Sequence, residues 1–166
     1  MADASEAEYV EYVSVRLPQL RRAAFLLCGD WVRGDDIVQR ALTDLYVDWA
    51  RARRADNLDA YVRGVLVHRF LDEQRRGWAR VRLVDAVPDR PAVSVSDSAA
   101  GLDLRAALAR LPARQRAVLV LRFLCDMSVE QTAEALKCAA GTVKSQTSDG
   151  LAAMRRLLAP TQPELR

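Results

Sequence analysis

The sequence predicts an all-α protein built from two small helical domains, one of three to four helices and one of four, joined by a flexible linker. Three observations carry this. Apolar residues recur every three or four positions over most of the chain, and no stretch alternates apolar with polar as a half-buried strand does. Residues 83–101 break that period with two prolines and three serines, which reads as a linker. Beyond it the helical period returns over residues 102–159, and residues 160–166, with Pro160 and Pro163, read as a tail.

The elements follow in order. A first helix spans about 5–28, its stripe running Tyr9, Val13, Leu17, Leu20, Ala24 and Leu27. Pro18 predicts a kink or a restart inside it, and Gly29 a stop. A second spans about 35–53, with Ile37, Ala41, Leu45 and Trp49 four apart. A third starts after the N-cap Asn57 and runs to about Arg76 on Leu58, Val62, Leu66 and Phe70. After the linker a short helix covers 102–111. Pro112 then sits as the first residue of a helix to Leu124. Ser128 and Gln131 form a capping box for a short helix ending near Leu136. A turn of three to four residues leads to a last helix over about 141–158, with Val143, Thr147, Leu151, Met154 and Leu158 inward.

Composition narrows the function. The 166 residues are 51% hydrophobic, ordinary for a globular chain and too apolar for a disordered one. No window holds the roughly 18 apolar residues of a spanning helix, and the acidic start lacks signal-peptide order, so a cytoplasmic protein with no membrane insertion is expected. Cys28, Cys125 and Cys138 lie far apart, with His68 the lone histidine, so no metal site and no cofactor is expected. The cysteines read as reduced thiols. No nucleophile–base pair, Gly-rich phosphate loop or metal spacing is present, so no enzyme activity is expected.

The short capped helix, tight turn and longer helix read as a helix-turn-helix. The outward positions of its last helix are Thr142, Lys144, Ser145, Gln146, Ser148 and Asp149. Hydroxyls, an amide and a lysine near a helix start suit phosphates and base edges of a major groove. Residues 102–166 carry ten Lys or Arg against six Asp or Glu, a mildly basic balance that suits phosphate contact. A second basic run holds Arg63, Arg69, Arg75, Arg76, Arg80 and Arg82, close to Tyr61, His68 and Trp78. Guanidinium groups near rings suit a nucleic-acid backbone and unstacked bases, and a solvated helix end has the same composition. Asp35, Asp36, Asp44 and Asp48 lie on the second helix, where they suit a basic partner or a wet face.

Specific strings then carry a resemblance. Asp35-Asp36-Ile37-Val38-Gln39 with Ala41-Leu42 resembles the second region of bacterial sigma factors. The stretch Ala60 to His68, followed by Asp72 and Arg75-Arg76, looks like the promoter-melting helix of that region. Leu111 to Leu119, Met127 to Ala133 and Gly141 to Ser145 are similar to the fourth region. Their order and compact spacing over about 5–158 resemble the extracytoplasmic-function (ECF) group of the sigma-70 family, and Gln146 the SigE-like actinobacterial branch.

The resemblance implies a domain over 1–82 for polymerase binding and "−10" recognition and melting, a linker over 83–101, and a "−35"-reading domain over 102–159. It implies core RNA polymerase contact at the beta-prime clamp through Asp36, Val38, Gln39 and Leu42, and further contact at the beta flap. It implies capture of melted "−10" bases by Asn57, Tyr61, Arg63, His68, Arg69, Arg75 and Arg76. It implies duplex "−35" reading by Thr142, Lys144, Ser145, Gln146 and Ser148. Promoter DNA, the polymerase and an anti-sigma protein are the implied partners, and an exposed apolar patch on the first domain is expected for docking. A stand-alone helix-turn-helix regulator leaves residues 31–82 unexplained, and a degenerate sigma-like interaction protein is a third reading.

Five positions depart from the family pattern. Arg40 stands where Glu is usual, and His68 where Asn is. Lys137 replaces a turn Gly, at about 1 kcal/mol if its backbone is left-handed. Ala139 replaces a Ser cap, at about 1 kcal/mol. Asp149 replaces an Arg, which sets a carboxylate against phosphates.

Overall fold

The computed structural model describes residues 3–81 and 99–160 as helices and short turns, and no strand occurs among them. Residues 83–98 of the expected linker and 161–166 of the expected tail lie outside the described residues, as do the side chains of Trp78, Arg80 and Arg82.

Helix α1 (Ala4–Cys28) passes through Pro18 without the expected break. Pro18 is exposed, and the carbonyl it leaves unpaired, that of Ser14, sits on an exposed turn that water reaches. Gly29 ends the helix in the left-handed region at φ 71°, its N–H returning to the Phe25 carbonyl. Helix α2 (Trp31–Val47) starts four residues earlier than the apolar stripe predicts. The reason is Asp30, whose carboxylate accepts from the Val32 and Arg33 N–H groups at 2.7 and 3.4 Å. A break at Asp48 separates the one-turn helix α3 (Trp49–Ala52) from it. Trp49 is buried there, edge-on to Tyr9 and tilted against Tyr12, at centroid distances of 5.4 and 5.7 Å.

Helix α4 (Leu58–Val81) is capped by Asn57, whose Oδ1 accepts from Ala60 N–H at 3.0 Å. It continues five residues past Arg76. Helix α5 (Ala99–Ala109) begins inside the segment expected to be linker, so the linker is shorter at its far end. Pro112 is the N-cap of α6 (Ala113–Leu119), one residue outside the helix rather than its first member. That helix ends in a π-helical turn (Val120–Leu124), where the Cys125 N–H reaches back five residues to Val120. The wider turn keeps Leu121 in the core and carries Leu124 to the surface, 38% exposed, against the expected spacing of three.

Ser128 and Gln131 close the capping box of α7 (Val129–Leu136) with bonds of 2.9 and 3.0 Å. Lys137 then adopts φ 53°, ψ 48°, the left-handed conformation of a helix-ending residue. After Cys138 and an Ala139 with no side-chain cap, α8 (Ala140–Leu158) runs out the chain. Val143 and Met154 point inward; Leu158, expected inward, is 43% exposed in the last turn.

The two halves share a core. Val62, Leu66 and Phe70 of α4 belong to one buried cluster with Val118 and Leu121, Met127, Leu136 of α7 and Val143 of α8. A smaller cluster joins Leu108, Leu111, Leu119 and Met154. Helix α4 lies along α7 so closely that a Cβ on Gly64 would stand 3.3 Å from the Cβ of Ala135. Arg116, 9% exposed, donates to the Leu27 carbonyl at 2.7 Å and to those of Ala109 and Leu111 at 3.0 and 2.9 Å. Its guanidinium also lies 5.6 Å from the centre of the Phe70 ring.

Candidate nucleic-acid interface

The helix-turn-helix is α7, the three-residue turn Lys137–Ala139, and α8. The capping box starts α7 where its apolar face meets α4, and Val143 and Gly150 seat α8 against α6. A Cβ on Gly150 would come within 3.2 Å of Leu119, so the small residue sets that approach. With those positions inward, Thr142, Lys144, Ser145, Ser148 and Asp149 are exposed. Ser145 donates to the Gly141 carbonyl, leaving its oxygen free to accept. Gln146 is half-buried, and its Oε1 is shielded with no hydrogen-bond partner among the described residues. Its amide reaches a base edge only when the side chain turns outward.

Helix α4 divides the second candidate set. At 3.6 residues per turn, Asn57, Tyr61, Gly64, His68 and Arg75 share one face, and Gly64 shows that this face meets α7. Arg63 points another way and donates to the Cys125 carbonyl at 3.2 Å. Arg69 forms a two-pronged ion pair with Asp44 of α2. Arg75 is paired with Asp72 one turn earlier, and Arg76 is exposed. Asn57 is spent on its cap. The structure thus sets Tyr61, His68 and Arg75 along one face of α4, with His68 and Arg75 lining a common groove, and turns Arg63 and Arg69 away from it.

Electrostatics on this seam are cationic. Burial and the nearby Lys137 push the His68 pKa below its usual value, while a hydrogen bond to the Ala135 backbone and the charge of Asp72 act the other way. A groove of about 620 Å³ opens here, lined by His68, Arg75, Arg114 and Lys137 beside Leu71 and Leu136. Burial raises the thiol pKa of Cys28 to about 12 and also raises that of Cys125, so both stay protonated and unreactive. No cluster of three or more metal-binding side chains occurs among the described residues. No helix among them is long and apolar enough to cross a membrane.

The outward stripe of α2 carries Asp36, paired with Arg40 at 3.0 Å, together with the exposed Gln39 and Thr43. Val38 does not belong to it: it is 2% exposed and packs inward, because it follows the core residue Ile37 around the helix. Leu42 is half-buried, and its carbonyl accepts from the Tyr9 hydroxyl at 2.8 Å. Spacing alone did not single out Val32 in the first turn of α2 and Tyr46 and Val47 in its last, which stand exposed at the two ends of the helix. It also missed Arg116. Both could have been found from the apolar stripe, which leaves these α2 residues outside and puts position 116 beside core residues.

Comparison with known proteins gives one consistent result. The family model "Sigma-70, region 4" matches residues 101–154. The chain is 38% identical over 164 residues to the RNA polymerase sigma-E factor of Streptomyces avermitilis, covering 95% of this chain and 89% of that protein. It is 30% identical over 145 residues to the ECF RNA polymerase sigma factor EcfG of Rhodopseudomonas palustris, covering 86% and 80%. In structure it is similar to the sigma factor RpoE of Bartonella quintana, crystallised with the anti-sigma factor NepR. The TM-score is 0.78 at 26% identity, over 91% of this chain and 96% of that one.

Proposed function

The chain belongs to the ECF RNA polymerase sigma factors of the sigma-70 family, and from that premise we propose how its own surfaces divide the work. It is a sigma factor and not an enzyme: bond-making belongs to core RNA polymerase, which it directs to promoters. Its partners are the polymerase, promoter DNA and an anti-sigma protein, and its place of action is the cytoplasm.

Residues 1–82 form the polymerase-binding and "−10" domain, and residues 102–159 the "−35" domain. The outward stripe of α2, with Asp36, Gln39 and the exposed edge of Leu42, docks on the beta-prime clamp. Val32, Tyr46 and Val47 add apolar area to the same stripe. Val38 supports the helix from inside. Tyr61, His68, Arg75 and Arg76 of α4 take the melted "−10" strand, Asn57 fixes the start of that helix, and Arg63 and Arg69 join once released from Cys125 and Asp44. Unpairing costs a few kcal/mol and is offset by stacking and pocket contacts. Thr142, Lys144, Ser145, Gln146 and Ser148 of α8 read the "−35" duplex, Lys144 at phosphates and Gln146 at a base edge. The second domain's remaining polymerase contact is with the beta flap.

The observation that carries this reading is α8: a capped helix, a three-residue turn and a second helix whose exposed side carries a lysine and hydroxyls, with the half-buried Gln146 beside them. Run-off transcription with purified core polymerase on a library of random upstream DNA tests it. Specific starts preceded by two sequence blocks are expected, and Gln146→Ala should relax one position of the upstream block. Absence of specific starts, with duplex binding retained, would leave a stand-alone regulator instead.

A further inference from the structure

We infer that the groove between α4, α6 and the Lys137 turn is a binding site for a small phosphate polyanion of nucleotide size. This goes beyond the proposed function and does not rest on the promoter assignment. The groove has a volume of about 620 Å³, within the range of small-molecule sites. His68 and Arg75 of α4, Arg114 of α6 and Lys137 of the turn line it, with Leu71 and Leu136 as its apolar strip. No carboxylate lines it among the described residues. Its walls come from both halves, so ligand binding and the packing of α6 against α4 reinforce each other.

The charges of this groove are unmatched. Neither Arg114 nor Lys137 has a carboxylate within ion-pair distance among the described residues. Lys137 stands in the left-handed backbone region at φ 53°, ψ 48°, where glycine would meet no steric cost. That strain keeps an ammonium on the groove wall. His68 is half-buried between opposing influences: Lys137 and Arg114 disfavour its protonation, while Asp72 and the Ala135 backbone favour it. Arg75 is engaged with Asp72, but its side chain is 79% exposed, and an exposed pair exchanges its carboxylate for phosphate at little cost. One ligand resolves these like-charge contacts. A chain of phosphates accepts from the guanidinium groups of Arg75 and Arg114 and from the Lys137 ammonium at once. A single sulfate spans fewer of them. Leu71 and Leu136 offer an apolar surface to a base, so a nucleoside-borne chain and a free one share this chemistry.

Titration calorimetry and thermal unfolding of the full chain, without divalent cations, test this with inorganic tripolyphosphate, ATP and sulfate. Tripolyphosphate at about 100 times its dissociation constant should raise the thermal midpoint by about 5–10 °C. Sulfate at the same ionic strength should do little. Arg114→Gln should weaken binding at least about tenfold, whereas Arg156→Gln, exposed on α8 and outside this groove, should bind as the parent does. Lys137→Gly should weaken binding while the ligand-free midpoint holds or rises, because glycine relieves the left-handed backbone. A lysine with only a structural role would change stability and leave affinity alone. His68 is the lone histidine, so its ring resonance reports on the groove directly, and its pKa should rise when tripolyphosphate saturates the protein. ATP binding more tightly than tripolyphosphate would identify a nucleotide as the source, and the reverse a free chain. Binding of neither overturns the inference, as does binding that Arg114→Gln and Arg156→Gln weaken equally. Binding confined to a single-stranded oligonucleotide also overturns it and gives the groove to nucleic acid. None of these readouts uses transcription, so the promoter assignment stands or falls separately.

Discussion

Arg116 carries its guanidinium among backbone carbonyls of both halves, and burial lowers its pKa although it stays charged. Truncation would leave three carbonyls short of a donor and a hole beside Phe70. Arg116→Ala is expected to cost about 2–4 kcal/mol, read as a fall in thermal midpoint of roughly 2–4 °C per kcal/mol for a chain of this size. Lysine in its place should recover little, since one ammonium cannot span three acceptors. His68 gives the folded protein a pH dependence. Its pKa is lowered in the folded state, chiefly by burial and then by Lys137, with Arg114 adding to the effect. The unfolded chain therefore binds the proton more readily, and folding must give it up. Stability contributed by the neutral imidazole is full above the usual value of 6.5 and declines as pH falls through it. A urea midpoint lower at about pH 5.5 than at about pH 7.5 is expected, and His68→Gln should remove most of that difference. Asp35, whose pKa Arg21 lowers, titrates below this window.

Helix α8 shows how an element can be well placed and poorly finished. Its N-cap is Ala139, extended at φ −72°, ψ 150°, the backbone of a capping residue without the oxygen that would accept from the first turn. Ala139→Ser is expected to stabilise the protein by about 1 kcal/mol, measured by urea unfolding, with no change in the other helices by circular dichroism. Asp149 is exposed on the same helix, on the side that faces DNA in the proposed mode. Asp149→Arg should raise affinity for a "−35" duplex and steepen the salt dependence of binding. Equal affinity at matched salt would show that position 149 stays clear of the phosphates. Both changes leave the core alone, so an effect on α4 or α7 would point to a different cause.

At the scale of the molecule the two halves share one buried cluster, from Leu20 in α1 through Phe70 in α4 to Val143 in α8. A shared core couples their unfolding. One transition is expected, coincident by far-ultraviolet circular dichroism and by tryptophan fluorescence, since Trp31 and Trp49 report on the first half while helix content reports on both. Ala135→Arg should separate the two signals by loosening the second half first. Two transitions in the parent chain would mean that the halves fold as independent units on their linker.

Helix identity and the helix-turn-helix were legible in the residues, because periodicity, the Ser128–Gln131 capping box and the Gly29 stop act over one or two turns. The exposed side of α8 was legible for the same reason: once Val143 and Met154 are inward, the rest follows from 3.6 residues per turn. Boundaries were less so. Asp30 starts α2 ahead of its apolar stripe, and the π-helical turn moves Leu124 outward, through single hydrogen bonds that no period announces. What only the tertiary structure decided is the relation between distant segments. Gly64 meets Ala135 71 positions along the chain, and Arg116 meets Leu27 across 89. Such contacts depend on shape and on unpaired carbonyls at a helix end, which become available only after the helices exist. The sequence by itself determined which helices form and which faces are apolar; packing decided that the faces of the two halves satisfy one another.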